Sequence, residues 1–197
     1  MNFKKIVPQT LGGDVENIWN LIFGGQSLLE GMIMNRKPLW KFVSDEKLER
    51  VMEIGFGVGL NSIVMKGLTN AELYIFDLME PPKDGWVGNE KTQRRTYDIF
   101  KDVKKVKFFL GDTRKTLPQY VDELPEMDLI FIDGGHSYEV CKNDWKHSKE
   151  LMHEETTVWF HDYDMEGVKK VVDEIKNYKV EIIEPEFGPV FAKVEAK

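Results

Sequence analysis

The 197-residue sequence predicts an α/β fold in which helices cover both faces of a seven-stranded, mostly parallel sheet. Two observations lead to this class. From residue 49 onward, short apolar runs rich in β-branched and aromatic residues alternate with helix-like segments, which is the pattern of βαβ units. The last two apolar runs are separated only by Pro185-Glu186-Phe187-Gly188-Pro189. That link is too short for a crossover helix, so these runs should form an antiparallel C-terminal hairpin.

The apolar runs are the predicted strands, and the polar segments between them are the predicted covering helices. The strands are Arg50–Ile54, Glu72–Asp77, Val106–Leu110, Asp128–Asp133, Thr157–Asp162, Lys179–Glu184 and Val190–Val194. The helices are Leu60–Leu68, Glu90–Phe100, Thr113–Val121, Tyr138–Met152 and Met165–Asn177. Five strand–helix units therefore precede the hairpin, and their crossovers predict parallel strands.

Residues 1–48 precede this unit and have the amphipathic pattern of helices, with apolar residues at helical spacing. We expect one globular unit made of this N-terminal segment and a main domain at residues 49–197. Two interpretations of the segment stay open. Its helices pack on the edge of the sheet, or they form a cap over a ligand, with Gly24-Gly25 as the hinge.

The composition favours a cytoplasmic protein that acts on a small molecule. A formal net charge of -7 works against binding a long phosphate backbone, which makes nucleic acid an unlikely partner. The only cysteine, Cys141, suits a reducing compartment. No apolar run approaches the roughly 18 residues of a membrane span, and the N-terminus lacks the apolar core of a secretory signal. We expect a monomer or a homodimer.

The most informative segment is Val51–Gly59, an apolar strand containing Glu53 that runs into glycines at positions 55, 57 and 59. A nucleotide-binding turn needs glycine where the backbone turns sharply and where a Cβ would clash with the ligand. A dinucleotide fingerprint would need a further glycine at position 60, where Leu60 stands. The pattern is instead acid-x-Gly-x-Gly-x-Gly.

Polar residues also follow the other predicted parallel strands, at the edge of the sheet where ligands of open α/β sheets bind. Asp77 ends the second strand, and Gly111-Asp112-Thr113 follows the third. Asp133-Gly134-Gly135-His136 follows the fourth strand, and His161-Asp162-Tyr163 follows the fifth. An alternative for Asp112 and Thr113 is helix capping, since these residue types often begin the next helix.

Taken together, these motifs resemble class I S-adenosylmethionine-dependent methyltransferases. The Asp-Gly-x-His and His-Asp-Tyr turns resemble the branch of small-molecule O-methyltransferases that act on sugars and other natural products. The resemblance covers about residues 49 to 177 and implies a Rossmann-like fold with helices on both faces. It also implies that the residues contacting S-adenosylmethionine are Glu53, Gly55, Phe56, Gly57, Gly59, Asp77, Leu78, Gly111, Asp112, Thr113 and Asp133.

In the roles that the resemblance implies, Asp77 accepts the ribose hydroxyls and Asp112 meets the adenine amino group. For metal-dependent members it implies that Asp133, His161 and Asp162 hold a divalent cation such as Mg²⁺ or Mn²⁺. The catalytic residues would be Asp133 and His136. His136 suits the removal of a proton because the unperturbed pKa of histidine lies near neutrality. The methyl acceptor would be a hydroxylated small molecule. The alternatives are methylation of a nitrogen or a macromolecule, and a non-catalytic cofactor-binding subunit.

Overall fold

The computed structural model describes residues 26–80 and 90–197. The predicted Gly24-Gly25 hinge and the apolar positions before it lie outside the described residues. Strands are β1 Arg50–Ile54, β2 Glu72–Asp77, β3 Val106–Leu110, β4 Met127–Ile132, β5 Met152–Phe160, β6 Tyr178–Ile183 and β7 Phe191–Ala196. Helices are α1 Gln26–Asp45, α2 Leu60–Leu68, α3 Glu90–Phe100, α4 Thr113–Tyr120, α5 Tyr138–Ser148 and α6 Glu166–Asp173. Short 3₁₀ turns follow α4 and α5 at Val121–Glu123 and Lys149–Leu151.

The seven strands form one sheet in the order β3-β2-β1-β4-β5-β7-β6. The pairs among β1 to β5 are parallel, whereas β7 is antiparallel to both of its neighbours. This confirms the predicted fold class, including the C-terminal hairpin. The sheet order reverses beside β1, and β1 and β4 are the central neighbours at that point. Such a switch point opens a crevice beyond the carboxyl ends of the strands.

Two strand ends differ from the prediction in a way that matters for the site. We expected β4 and β5 to include Asp133 and Asp162, but the strands end at Ile132 and Phe160. Asp162 has a φ of 56°, which is left-handed and incompatible with a strand. Asp133, His161 and Asp162 therefore stand on the first turns beyond the sheet. β5 also begins five residues earlier than predicted, at Met152.

The sheet separates two apolar layers, because successive side chains of each strand point to opposite faces. On one face, strand residues such as Val51 and Phe131 pack with Leu39, Trp40 and Val43 of α1 and with α2. On the other face, residues such as Met52 and Ile130 pack against α4, α5 and α6. Complete burial on both faces explains why the central strands are continuous apolar runs.

Helix α1 contributes Leu39, Trp40 and Val43 to the core, each at most 1 % exposed, so its C-terminal half packs against the sheet. Along the described parts of the chain, we find no helix with both the length and the apolar character needed to cross a membrane.

Candidate active site

Backbone hydrogen bonds continue the parallel ladder one residue past the strands and so bring four turns to one edge. Gly55 N donates to Phe76 O at 2.8 Å, and Asp133 N donates to Ile54 O at 2.8 Å. On the outer pairs, His161 N donates to Ile132 O at 3.0 Å and Gly111 N donates to Asp77 O at 2.9 Å. The turns that follow β1, β3, β4 and β5 therefore meet at the carboxyl edge of the sheet, together with Asp77 at the end of β2.

The glycine loop after β1 needs glycine at its first position for two reasons. Gly55 has a φ of 98°, which L-residues rarely adopt. A Cβ added at Gly55 would lie 2.0 Å from the carbonyl oxygen of Asp133. The loop between β1 and α2 thus passes directly against the turn after β4, and any larger residue would force these two turns apart.

Between these turns lies a cavity of about 440 Å³, within the range of small-molecule sites. Its walls include predicted cofactor-binding residues from every turn, and also two polar side chains, Glu80 and Gln93, from outside the motifs. The predicted residues that line it are Gly55, Gly57, Asp77, Leu78, Gly111, Asp112, Thr113, Asp133 and His136. Phe56 lines a second, smaller cavity together with Gly57 and Asp133. Gly59 is the N-cap of α2.

Glu53 lies beneath the glycine loop and is 1 % exposed. Its Oε2 accepts a hydrogen bond from Ser62 Oγ, whereas Oε1 has no hydrogen-bond partner among the described residues. Burial raises the pKa of Glu53 well above its usual range, and the nearby carboxylates of Asp133 and Asp77 raise it further. Glu53 lines neither of the two cavities, so its contact with the cofactor stays a prediction.

Asp77 holds the glycine loop in place as well as lining the cavity. Its Oδ2 accepts from the backbone nitrogens of Phe56 at 2.7 Å and Gly57 at 3.3 Å. Its Oδ1 accepts from Met79 N at 2.5 Å and from Gln93 Nε2 at 3.3 Å. Burial raises the pKa of Asp77, and the three backbone donors oppose that shift. These hydrogen bonds hold the carboxylate of Asp77 in place without any contribution from a ligand.

Asp112 caps helix α4, as the alternative interpretation expected. Its Oδ1 accepts from Arg114 N at 3.0 Å, and the Arg114 guanidinium contacts both oxygens, with Nη2 2.6 Å from Oδ2. The hydrogen bonds from Arg114 lower the pKa of Asp112 to about 2. The same carboxylate lines the cavity, so capping and a contact with adenine are compatible, and the latter stays a prediction.

Two carboxylates and two histidines form a cluster at the ends of β4 and β5. His161 Nδ1 lies 3.0 Å from Asp133 Oδ1 and 2.7 Å from Asp162 Oδ2. His136 Nε2 lies 3.0 Å from the same Asp162 oxygen. Ligand atoms of Asp133, His136 and Asp162 all lie within 4.8 Å of one another, which makes these three residues a candidate cation-binding group. The structure thus groups His136 with the two carboxylates, where the resemblance implied His161.

The charges of this cluster explain how its members shift one another's pKa values. Burial by itself lowers the pKa of His161, but the charge of Asp133 and hydrogen bonds to both carboxylates raise it to about 9. The hydrogen bond to Asp162 raises the pKa of His136, against a smaller effect of burial. Burial opposes ionisation of Asp162, yet its two histidine partners hold the pKa of that carboxyl far below its usual range. Opposite charges within hydrogen-bond distance therefore dominate over desolvation here.

Three residues near the site were not predicted from the sequence. Asn35 and Arg36, on α1, are 3 % and 7 % exposed, and Arg36 Nη2 lies 3.5 Å from Asp133 Oδ2. Asp144, on α5, is fully buried behind the cavity, with its Oδ2 3.4 Å from the position of a Cβ added at Gly134. The available signal was weak, since a polar pair within an amphipathic helix usually marks its solvent face.

This sheet order, with the single reversed strand and a glycine loop beside strand-end acids, defines the class I methyltransferase fold. The family comparison agrees: residues 52–163 match the model of a family described as a methyltransferase domain. Because this match spans more than half of the chain, the protein belongs to that family. It is an S-adenosylmethionine-dependent methyltransferase. No curated protein matches the chain in sequence.

Solved structures of low sequence identity share the fold over nearly the whole chain. The Podospora anserina methyltransferase PaMTH1, bound to S-adenosylhomocysteine, is 15% identical with a TM-score of 0.66 and covers 100% of this chain and 97% of its own. An O-methyltransferase from Bacillus cereus, in complex with S-adenosylhomocysteine, is 15% identical with a TM-score of 0.65 and covers 97% and 90%. An rRNA methylase from Streptococcus thermophilus is 15% identical with a TM-score of 0.62 and covers 82% and 96%.

Proposed function

We propose that the protein transfers a methyl group from S-adenosylmethionine to a hydroxyl group of a small molecule. The observation that carries the proposal is the cluster of Asp133, His136, His161 and Asp162 directly beside the cofactor cavity. A hydroxyl is a weak nucleophile at neutral pH and benefits from a group that removes its proton. An imidazole held by a carboxylate, as His136 is by Asp162, is suited to that role.

The residues of the cavity fit S-adenosylmethionine. Its amino and hydroxyl donors suit a site lined by the carboxylates of Asp77 and Asp112. The glycine loop leaves room for close approach, since Gly55 and Gly57 line the cavity without a Cβ. When bound, this cofactor supplies a methyl group on a positively charged sulfur. The chain's part is to orient donor and acceptor in line, which accounts for a large share of such catalysis.

A divalent cation also fits the residues present. Two carboxylates and one imidazole, from Asp133, Asp162 and His136, are hard and borderline donors that suit Mg²⁺ or Mn²⁺. These three residues would hold the ion, and its chemistry there would be to lower the pKa of a coordinated hydroxyl. His161 has both ring nitrogens within hydrogen-bond distance of Asp133, Asp162 and Asn35, so it supports the carboxylates from behind.

The chain's own residues would divide the work as follows. Asp133 and Asp162 orient the acceptor hydroxyl at the edge of the cavity, with their positions fixed by His161 and by Arg36. When no cation is bound, His136, the most exposed member of the cluster, receives the hydroxyl proton at Nδ1, because its Nε2 faces the carboxylate of Asp162. Asp162 has a left-handed φ of 56° in this turn, a strained conformation of the kind that clusters at active sites.

The decisive experiment measures methyl transfer from radiolabelled S-adenosylmethionine to a matched panel of acceptors. The panel contains catechols, phenols and hydroxylated sugars, each paired with the analogue in which an amine replaces the hydroxyl, and total RNA. Transfer to hydroxyl acceptors supports the proposal, and its loss in His136→Gln and Asp162→Asn supports the assigned roles. Transfer only to amines or to RNA would overturn it in favour of nitrogen or macromolecule methylation. Cofactor binding without transfer to any acceptor would favour a non-catalytic subunit.

A further inference from the structure

The side chain of Asn35 joins three elements that are distant in the sequence. It lies on α1 and is 3 % exposed. Its Nδ2 donates to the carbonyl oxygens of Phe187 at 3.3 Å and Pro189 at 3.0 Å, both in the loop between β6 and β7. Its Oδ1 accepts from Arg36 Nη1 at 3.1 Å and lies 2.9 Å from His161 Nε2. A primary amide has two donors and two acceptor sites, and all four are used.

These partners fix the orientation of the Asn35 amide. The reverse orientation would place Oδ1 against two carbonyl oxygens and Nδ2 against the guanidinium of Arg36. The amide oxygen therefore faces His161, and Nε2–H of His161 donates to it. With Nε2 held in this way, the His161 ring directs Nδ1 toward Asp133 and Asp162.

The loop between β6 and β7 lies at the same edge of the sheet as the cluster, because β6 runs in the direction of β5. Gly188 in this loop has a φ of 88°, and a Cβ added there would lie 2.8 Å from Asn35 Nδ2. At the end of the loop, Val190 N donates to Asp164 Oδ1 at 3.0 Å. The loop carries Phe187, which is 62% exposed. The Asn35 amide bridges the backbone of this loop and the His161 ring, and Phe191, which begins β7, packs against the same ring with centroids 4.9 Å apart.

We propose that Asn35 is a positioning residue that couples the β6–β7 loop to His161. One side chain then sets both the orientation of the His161 ring and the place of the loop that borders the cluster. The inference rests on the proposed function in treating this wall as the acceptor side of the site. Asn35 does not line the cofactor cavity, so we expect its substitutions to change S-adenosylhomocysteine affinity less than twofold.

Two substitutions separate the contact of Asn35 with His161 from its contacts with the β6–β7 loop. In Asn35→Asp, carboxylate oxygens still accept from Arg36 and His161, but no N–H remains for the carbonyls of Phe187 and Pro189. Asn35→Leu, of similar size, loses the contact with His161 as well as the contacts with the loop. Two readouts on EDTA-treated protein report them: the ¹H–¹⁵N resonance of His161 Nε2–H, and backbone hydrogen exchange of the Val190 amide, which follows Pro189 and donates to Asp164 Oδ1. We expect Asn35→Asp to keep the resonance and to exchange about tenfold faster in the loop. Asn35→Leu should lose the resonance and exchange at least as fast.

Two further variants test whether a general loosening of α1, and not the contacts of Asn35, causes these changes. Trp40→Phe removes the 3.2 Å hydrogen bond from Trp40 Nε1 to Asn61 Oδ1, another tie of α1, and should leave both readouts unchanged. Gly188→Ala acts from the loop side and should shift the His161 resonance, because its Cβ would displace Asn35 Nδ2. If Asn35→Leu does not fold, Asn35→Asp and Gly188→Ala still decide.

Three results would overturn the coupling. They are an unchanged His161 resonance in Asn35→Leu or Gly188→Ala, loop protection retained in Asn35→Asp, or equal effects of Trp40→Phe and Asn35→Leu. None of these readouts involves an acceptor. A failed acceptor panel therefore contradicts the proposed function alone, and a failed coupling test contradicts only the role of Asn35.

Discussion

Asp77 Oδ2 lies 2.7 Å from the backbone nitrogen of Phe56, so the acid that ends β2 holds the glycine loop that follows β1. The carboxylate is also part of the cavity wall. A residue predicted for ribose recognition thus has a structural task in the protein itself. Its loss should affect the shape of the glycine loop as well as the contacts with the cofactor.

Asp77→Ala should weaken S-adenosylhomocysteine binding by at least tenfold. The change removes a charged acceptor, whose hydrogen bonds are each worth roughly 1.5–3 kcal/mol, and frees the backbone of Phe56 and Gly57. Isothermal calorimetry measures the affinity. Glu80→Ala is the matched control, because Glu80 lines the same cavity and should have the smaller effect. Equal affinities of Asp77→Ala and the parent protein would remove Asp77 from the binding site.

Gly55→Ala should destabilise the fold by more than about 2 kcal/mol, since it combines a left-handed φ with severe overlap. The new Cβ would meet the carbonyl oxygen of Asp133 at 2.0 Å, and a backbone atom has little freedom to move away. Denaturant titration gives the free energy of unfolding. Gly134→Ala provides the comparison, because its Cβ would contact Ile54 at 3.1 Å without a left-handed φ. A similar loss of stability in both variants would contradict this account of Gly55.

Asp144→Asn should stabilise the protein at pH 7 and flatten its stability between about pH 4 and 6. Burial raises the pKa of Asp144 to about 6, from an ordinary value of 3.8. The folded state therefore holds the proton more tightly than the unfolded state, and stability falls as pH rises through this window. The gain at pH 7 should be on the order of 1–3 kcal/mol.

Thermal and denaturant unfolding between pH 4 and 7 check this expectation for Asp144. The exposed carboxylate of Asp122 provides the control, since Asp122→Asn should leave the pH profile as it is. A parent protein whose stability rises steadily from pH 4 to 6 in step with Asp144→Asn would contradict a buried, raised carboxyl.

Millimolar Mn²⁺ or Mg²⁺ should raise the melting temperature of the parent protein but not that of Asp162→Asn or Asp133→Asn. A ligand that binds the folded state alone stabilises it by about 2.7 kcal/mol at one hundred times its Kd. The asparagine variants keep the shape of the side chain and remove the charge that holds the cation. His161→Gln tests the remaining predicted ligand and should keep most of the shift, because the candidate cation-binding group consists of Asp133, His136 and Asp162. Activity that survives EDTA, together with an unchanged melting temperature, would rule the metal out.

The sequence by itself determined the fold class and most of the residues that line the cavity. The direction of the strands follows from apolar runs separated by crossovers, and the glycine loop follows from local backbone requirements at Gly55. Residues such as Asp77 and Asp133 could be placed because the ends of parallel strands meet at one edge of a sheet. These are consequences of spacing along the chain, and the structure agrees with them.

Only the tertiary structure decided which side chains meet across that edge. Asn35 lies 126 positions before His161 in the chain, and their 2.9 Å contact depends on how α1 packs against the sheet. The grouping of His136 with Asp133 and Asp162 depends on the left-handed turn at Asp162, which ends β5 early. Such contacts depend on side-chain directions and helix packing, which leave no periodic trace in the sequence. The strand-end motifs could therefore be predicted from the sequence, whereas the hydrogen-bond network that orients their side chains could not.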